Sequence, residues 1–193
     1  MRCHILHLSF LIISFSVISC SEKNTLQESL FAKDGIDWFS EGDAEWKFIN
    51  EELIGSLDNG IGFVMTKKSY SDFELELEFH PDSTINSGVF IRCKNNVISK
   101  VECYEINIWD LHPDQKNRTG AVVTRSTPLA HVETLNKWNS YKIKNEKDHL
   151  QAWINDELVV NLKNQDLKVG PIALQAAEKG VIKFRNVRIT ELE

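Results

Sequence analysis

NSGVFIRC (residues 86–93) and VECYEINIWD (residues 101–110), joined by a polar connector, are the stretch from which the fold is read. Val89 to Cys93 and Val101 to Trp109 are rich in β-branched and aromatic residues and bounded by turn-forming ones, so two strands are expected. Side chains on a strand alternate between faces. Tyr104, Ile106 and Ile108 then share a core face with Val89 and Ile91 of the first strand. Glu105, Asn107 and Trp109 point the other way, and parity puts Arg92 with them. Two readings fit this polar face. One is a solvated surface with a cross-strand ion pair, worth little in water. The other is a sugar site built from a cation, a carboxylate, an amide and an indole.

The same period governs the residues around it. From Asp72 to His80, Phe73, Leu75, Leu77 and Phe79 alternate with Glu74, Glu76, Glu78 and His80, the pattern of a half-buried strand. Carboxylates repel when they face each other, so the neighbouring strands should offer Lys or Thr. Further strands are expected at Trp46–Phe48, Glu52–Gly55, Gly60–Thr66, Thr119–Thr124, Trp138–Asn145, Leu150–Ile154, Glu157–Asn161, Gly170–Gln175 and Val181–Ile189. Asn155-Asp156 reads as a hairpin turn. Asp110 to Arg118 is a loop after the polar-faced strand, and Pro128 to Lys137 is irregular. Helical periodicity is nowhere sustained. Short, evenly spaced strands separated by turns predict an all-β sandwich of two antiparallel sheets.

The N-terminus reads differently. Arg2 and His4 precede an apolar run from Ile5 to Ile18 that ends in Val-Ile-Ser-Cys20. That order predicts a bacterial lipoprotein signal peptide over residues 1–19, with Cys20 the lipidated residue. Residues 20–29 are expected to be a polar tether, and residues 30–193 one domain. The protein would then sit in the bacterial cell envelope, held to a membrane through acyl chains and facing the periplasm or the outer surface. The formal net charge of -6 and a pI near 5.6 argue against a nucleic-acid partner, which requires a basic face.

Cys93 and Cys103 remain as a candidate pair in a compartment that permits disulfides. Parity places the two sulfurs on opposite faces, so no bridge is expected unless a bulge intervenes.

The order of these pieces resembles the 3-keto-disaccharide hydrolase domain family, a concanavalin A-like jelly-roll fold of exported bacterial proteins. The resemblance is carried by Trp46 with Leu53-Ile54-Gly55, Tyr70-Ser71-Asp72-Phe73-Glu74-Leu75, Asn86 to Arg92, Tyr104 to Ile108, Thr119-Gly120-Ala121, Trp153-Ile154-Asn155, Gly170-Pro171-Ile172, Leu174-Gln175 and Phe184 to Ile189. It runs from about Leu30 to the C-terminus. Two positions depart from the family pattern. Asn107 stands where Gln is common, and Ala176 to Lys179 follow Gln175 where a His is common.

The resemblance implies a carbohydrate partner and a sugar ketone at carbon 3. The ketone acidifies the hydrogen on carbon 2, a base removes it, and the enolate expels the glycosidic oxygen from carbon 1. Such a site needs a base, a stabiliser for the enolate oxygen and an acid for the leaving group. Glu105 is the first candidate base. Arg92 is expected to stabilise the enolate or orient Glu105, and Asp110 is a second acid/base candidate. Asn107 and Gln175 are expected to bond sugar hydroxyls, and Trp109 to stack on a sugar face. A divalent metal in place of Arg92 is the one cofactor the chemistry admits, although no ligand spacing demands it. His112 and His131 are isolated in loops and read as surface residues near this face. The alternative is a lectin-like module that binds carbohydrate without turnover, for which the missing His speaks.

Overall fold

A computed structural model describes residues 26–31, 38–94 and 97–192. The expected signal peptide, Cys20 and the first part of the tether lie outside these residues.

The strand of alternating residues is observed as β6 (Phe73–Pro81). Phe73, Leu75, Leu77 and Phe79 are buried. The outward carboxylates meet bases on both sides. Glu74 and Glu76 lie opposite Lys144 and Lys142 of β9 (Asn139–Glu146), and Glu76 and Glu78 lie opposite Arg188 and Arg185 of β13 (Gly180–Glu191). Opposite charges across strands turn a repulsive row into a modestly stabilising one.

β6 is the middle of the larger sheet. The other strands there are β3 (Glu45–Ile49), β4 (Glu52–Leu57), β10 (His149–Ile154) and β11 (Glu157–Lys163), in the order β11-β10-β9-β6-β13-β4-β3. β1 (Glu28–Ser29) also pairs with β13, and Leu30 is buried. The chain therefore enters the sheet inside the tether expected over residues 20–29.

The smaller sheet holds β2 (Trp38–Gly42), β5 (Ile61–Thr66), β7 (Ile85–Ile91), β8 (Tyr104–Ile108) and β12 (Ala173–Glu178), in the order β2-β5-β12-β7-β8. All pairings between strands are antiparallel. The main core fills the space between the sheets, with Val89, Ile91, Ile106, Ile108 and Leu174 from the smaller sheet, and Ile172 just before β12, against Leu75, Phe79, Ile143 and Phe184 from the larger. The architecture is the expected two-sheet antiparallel sandwich.

Two local expectations are corrected. Thr119–Thr124 is not a strand: it holds one-residue bridges at Val122, to Ile106 and to Ser126. It still covers the open edge of β8, because Val123 N donates to Glu105 O at 3.0 Å and Asn107 N donates to Ala121 O at 2.9 Å. The second correction is Cys93–Cys103, which is a disulfide. β7 and β8 stay in register down to Ile91 opposite Tyr104. Arg92 then adopts φ +51°, and Lys94 N donates to Glu102 O at 2.8 Å. One extra residue on the first strand makes a bulge, which reverses the parity and turns both sulfurs the same way. β8 accordingly begins at Tyr104 rather than at Val101.

Candidate functional site

The outer face of the smaller sheet carries the site. Cross-strand register aligns its outward side chains: Glu105 lies opposite Phe90, Asn107 opposite Gly88, and Gln175 opposite Phe63. Asn86, Ile61 and Ala177 complete the pattern. All of these but Gly88 and Ala177, together with the wall Ile98-Ser99-Lys100, Val123 and the Trp109–His112 corner, line an open hollow of about 360 Å³.

One end of the hollow is apolar. Met65, Phe90, Ala173 and the Cys93–Cys103 bridge form a second small cluster, with Phe39, Phe63 and Ile98 packed on it. Phe63 and Phe90 meet edge to face, with centroids 5.4 Å apart. The other end is polar, and its amides are under-bonded. Asn107 and Gln175 are 2% and 4% exposed. Asn107 Nδ2 donates to the Asn117 carbonyl. Its Oδ1, Gln175 Oε1 and Asn86 Oδ1 are buried without a hydrogen-bond partner among the described residues. A buried acceptor left unpaired costs about 1–3 kcal/mol. Three such acceptors on one sheet face suit a ligand rich in hydroxyl donors.

Glu105 sits between the two ends. Burial raises its carboxyl from the usual carboxylate range to about 7, and Lys100 works against that rise. The carboxyl lies opposite Phe90 and beside Ile98 and Val123, so few groups replace its lost water. A carboxyl with that pKa takes up and gives back a proton near neutrality.

His112 lines the same hollow. Its Nδ1 accepts from Asp114 N at 3.0 Å, which leaves the Nε2–H as the ring's donor. Its ring meets Trp109 at a steep angle, 4.5 Å between centroids. His112 was expected as a surface residue in a loop near this face; it lines the hollow itself. His131 is exposed beside Glu133 and takes no part.

Two predicted site residues lie elsewhere. Arg92 does not face Glu105. Its guanidinium is 1% exposed and pairs with Asp72 at 2.7 Å, while donating to the carbonyls of Ser71, Lys147 and Leu167. The bulge that forms the disulfide also turns Arg92 away from the polar face. Asp110 is likewise engaged: its carboxylate accepts from Thr134 N at 2.6 Å and Thr134 Oγ1 at 2.8 Å. It braces the long loop and does not line the hollow.

Glu105, Asn107, Trp109 and Gln175 are brought together. Lys100 and Asn86 join them unforeseen, and His112 joins them from the loop expected near this face. For Asn86 a signal existed, since it lies two residues from Gly88 on the same strand face. For Lys100 there was none without the disulfide. Among the described residues, no three His, Cys, Asp or Glu side chains are grouped as metal ligands. The donors that do converge are amide oxygens and one carboxylate.

Residues 27–190 match the family model described as the 3-keto-alpha-glucoside-1,2-lyase-like domain. The chain belongs to this family. No curated protein matches its sequence. Among solved structures, two candidate glycosyl hydrolases from Parabacteroides distasonis share the fold. One is 23% identical with a TM-score of 0.72, covering 86% of this chain and 100% of that one. The other is 17% identical with a TM-score of 0.73, covering 86% and 94%. A carbohydrate binding module from Bacillus subtilis has the same fold at 18% identity and a TM-score of 0.64, covering 80% of this chain and 96% of that one.

Proposed function

We propose that this member of the 3-keto-alpha-glucoside-1,2-lyase-like family cleaves 3-keto-glycosides, 3-keto-disaccharides among them, with Glu105 as the base. The observation that carries the reading is a half-buried carboxylate set among amides with free acceptors, on one face of one sheet. Asn86, Asn107 and Gln175 accept from sugar hydroxyls and fix the ring. Glu105 takes the hydrogen on carbon 2 as a proton. The electron pair forms the enolate of the neighbouring ketone, and collapse of that enolate breaks the bond from carbon 1 to the glycosidic oxygen. The leaving oxygen takes a proton, for which the His112 Nε2–H is the nearby donor. Water added across the resulting double bond gives free 3-keto sugar, so the net reaction is hydrolysis. This route differs from a glycosidase with two carboxylates flanking the bond.

Purified protein incubated with a 3-keto-α-disaccharide, with and without chelator, should release the second sugar. Release from the unoxidised disaccharide at the same rate would refute the role of the ketone. Absence of any release would refute the reaction.

A second reading is a carbohydrate-binding module without turnover. The residues after Gln175, Ala176 to Lys179, favour it, since no imidazole stands there. Saturable binding of a sugar with no product would establish it. We propose for the N-terminus that Cys20 is acylated and tethers the domain to a membrane of the cell envelope. Metabolic labelling with an alkyne fatty acid, lost in Cys20→Ala, tests this.

A further inference from the structure

Three carbonyls of the site wall converge on one side chain. Arg125 Nη1 donates to Lys100 O and to Cys103 O, both at 2.9 Å, and Nη2 donates to Val101 O at 3.0 Å. The guanidinium also lies over the Tyr104 ring, 4.9 Å from its centroid. A planar fork with five donors suits such a task, and no other side chain can bond three separate carbonyls with the same rigidity. On the opposite flank the wall is fastened by the Cys93–Cys103 bridge, and within it Cys103 N donates to Ser99 O at 2.9 Å. Exposed loops ordinarily vary in conformation. This one is pinned at Lys100 itself and at Val101 and Cys103 just after it.

The pinned residue lines the same hollow as the reactive carboxyl. Lys100 and His112 are the titratable groups that line the hollow with Glu105. β5, β7 and β12 contribute apolar or amide side chains there, and the 118–126 segment contributes Val123. We propose that Lys100 is the counter-charge that holds Glu105 in its basic form, and that Arg125 is a positioning residue whose task is to fix Lys100 against it. The idea rests on the proposed function in placing Glu105 at the reaction centre. It goes further by giving the wall a catalytic purpose and by filling, from a different element, the place expected for Arg92.

The physical reason is charge placement. Among the described residues no cation hydrogen-bonds Glu105, and burial penalises its ionised form. A nearby ammonium lowers that penalty through space, more strongly in a half-enclosed hollow than in water. Arg125 holds the Lys100 carbonyl, which fixes the point on the rim from which the ammonium reaches; a wall free to swing would carry the charge away from the hollow.

The test is direct titration of Glu105 by carbon-13 NMR of labelled side-chain carboxyls, the signal assigned by its loss in Glu105→Gln. In Lys100→Met the midpoint should rise by roughly half a pH unit or more. Lys100→Arg should keep it close to the parent value. Arg125→Met, which leaves Lys100 in place, should move it in the same direction as Lys100→Met. Thermal melts and near-UV circular dichroism control for folding, and Lys100 is exposed, so its variants should fold. With a 3-keto-glycoside as substrate, the acid limb of the kcat profile should shift to higher pH in Lys100→Met while KM changes little. An unchanged Glu105 midpoint in Lys100→Met would overturn the proposal. A changed midpoint with no turnover in any variant would sustain the coupling and refute the proposed reaction instead.

Discussion

Arg92 Nη2 donates to Asp72 Oδ1 at 2.7 Å, joining the residue after β7 to the residue before β6. Asp72 Oδ1 also accepts from Lys147 N at 3.0 Å, and three carbonyls take the rest of the guanidinium. The cluster ties both sheets together at one end of the sandwich. Removing one member of a buried, bonded pair costs about 3–5 kcal/mol, because the partners are left desolvated and unpaired. Arg92→Met should therefore lower the unfolding free energy by about that much, read by denaturant titration. Arg92→Lys should recover little, since one ammonium cannot reach all four partners. The folded fraction of either variant should keep its sugar affinity. Loss of binding with unchanged stability would show that the guanidinium acts at the hollow after all.

Glu105 gives a pH prediction with a definite sign. Burial lifts its folded carboxyl from the usual carboxylate range to about 7. Between those values the folded state holds more protons than the unfolded one, so this group's contribution to stability falls as pH rises. The ionised carboxyl costs up to roughly 3 kcal/mol above neutrality. Glu105→Gln should thus be more stable than the parent at pH 8 and equal to it near pH 4, by denaturant titration at both values. Turnover of a 3-keto-disaccharide should fall at least a hundredfold in the same variant, the scale of a lost general base. Parent-like turnover would remove Glu105 from the mechanism.

The fold was legible because its signal repeats. Phe73 to His80 alternates buried and outward residues along its whole length, and the glutamates there require the bases that β9 and β13 supply. The site was legible only where parity runs undisturbed. Glu105, Asn107 and Trp109 lie on β8 or directly after it, before any irregularity, and Gln175 lies on a regular strand beside β7. Arg92 sits at the bulge, where φ turns positive, and a single inserted residue exchanges the faces. Counting by twos then sends Arg92 to the wrong side and Cys93 away from Cys103. Asp110 was misplaced for a different reason. Its partner, Thr134, comes from an irregular segment whose path no local pattern announces.

The Cys93–Cys103 bridge closes a short loop, with a sequence separation of 10. For a loop of that length the loss of chain entropy in the unfolded state is worth roughly 2–3 kcal/mol. Cys93→Ala with Cys103→Ala should lower stability by about that amount, and its ligand affinity should fall as well, because the wall Ile98 to Lys100 loses one of its two fastenings. Differential scanning calorimetry and a sugar titration read the two effects. Lower stability with full affinity would assign the bridge to the fold alone.

Gly88 lies between the two amides, opposite Asn107 on β8 and beside Gln175 on β12. A Cβ built there would stand 3.4 Å from Ile106 O and Phe90 Cε2, and 3.7 Å from Gln175 Oε1. These are ordinary contacts, and the backbone φ is not positive, so a side chain fits the strand without strain. It would also project from the face that carries Asn107 and Gln175, the amides proposed to accept from sugar hydroxyls. Gly88→Ala should therefore fold with stability within roughly 1 kcal/mol of the parent, yet bind its sugar at least tenfold more weakly. Gln175→Ala should weaken binding by about 1–3 kcal/mol through loss of the acceptor. The pair separates shape from chemistry, since one variant adds bulk to that face and the other removes a bond. Equal affinity in Gly88→Ala and the parent would mean that the ligand never reaches the sheet between these amides.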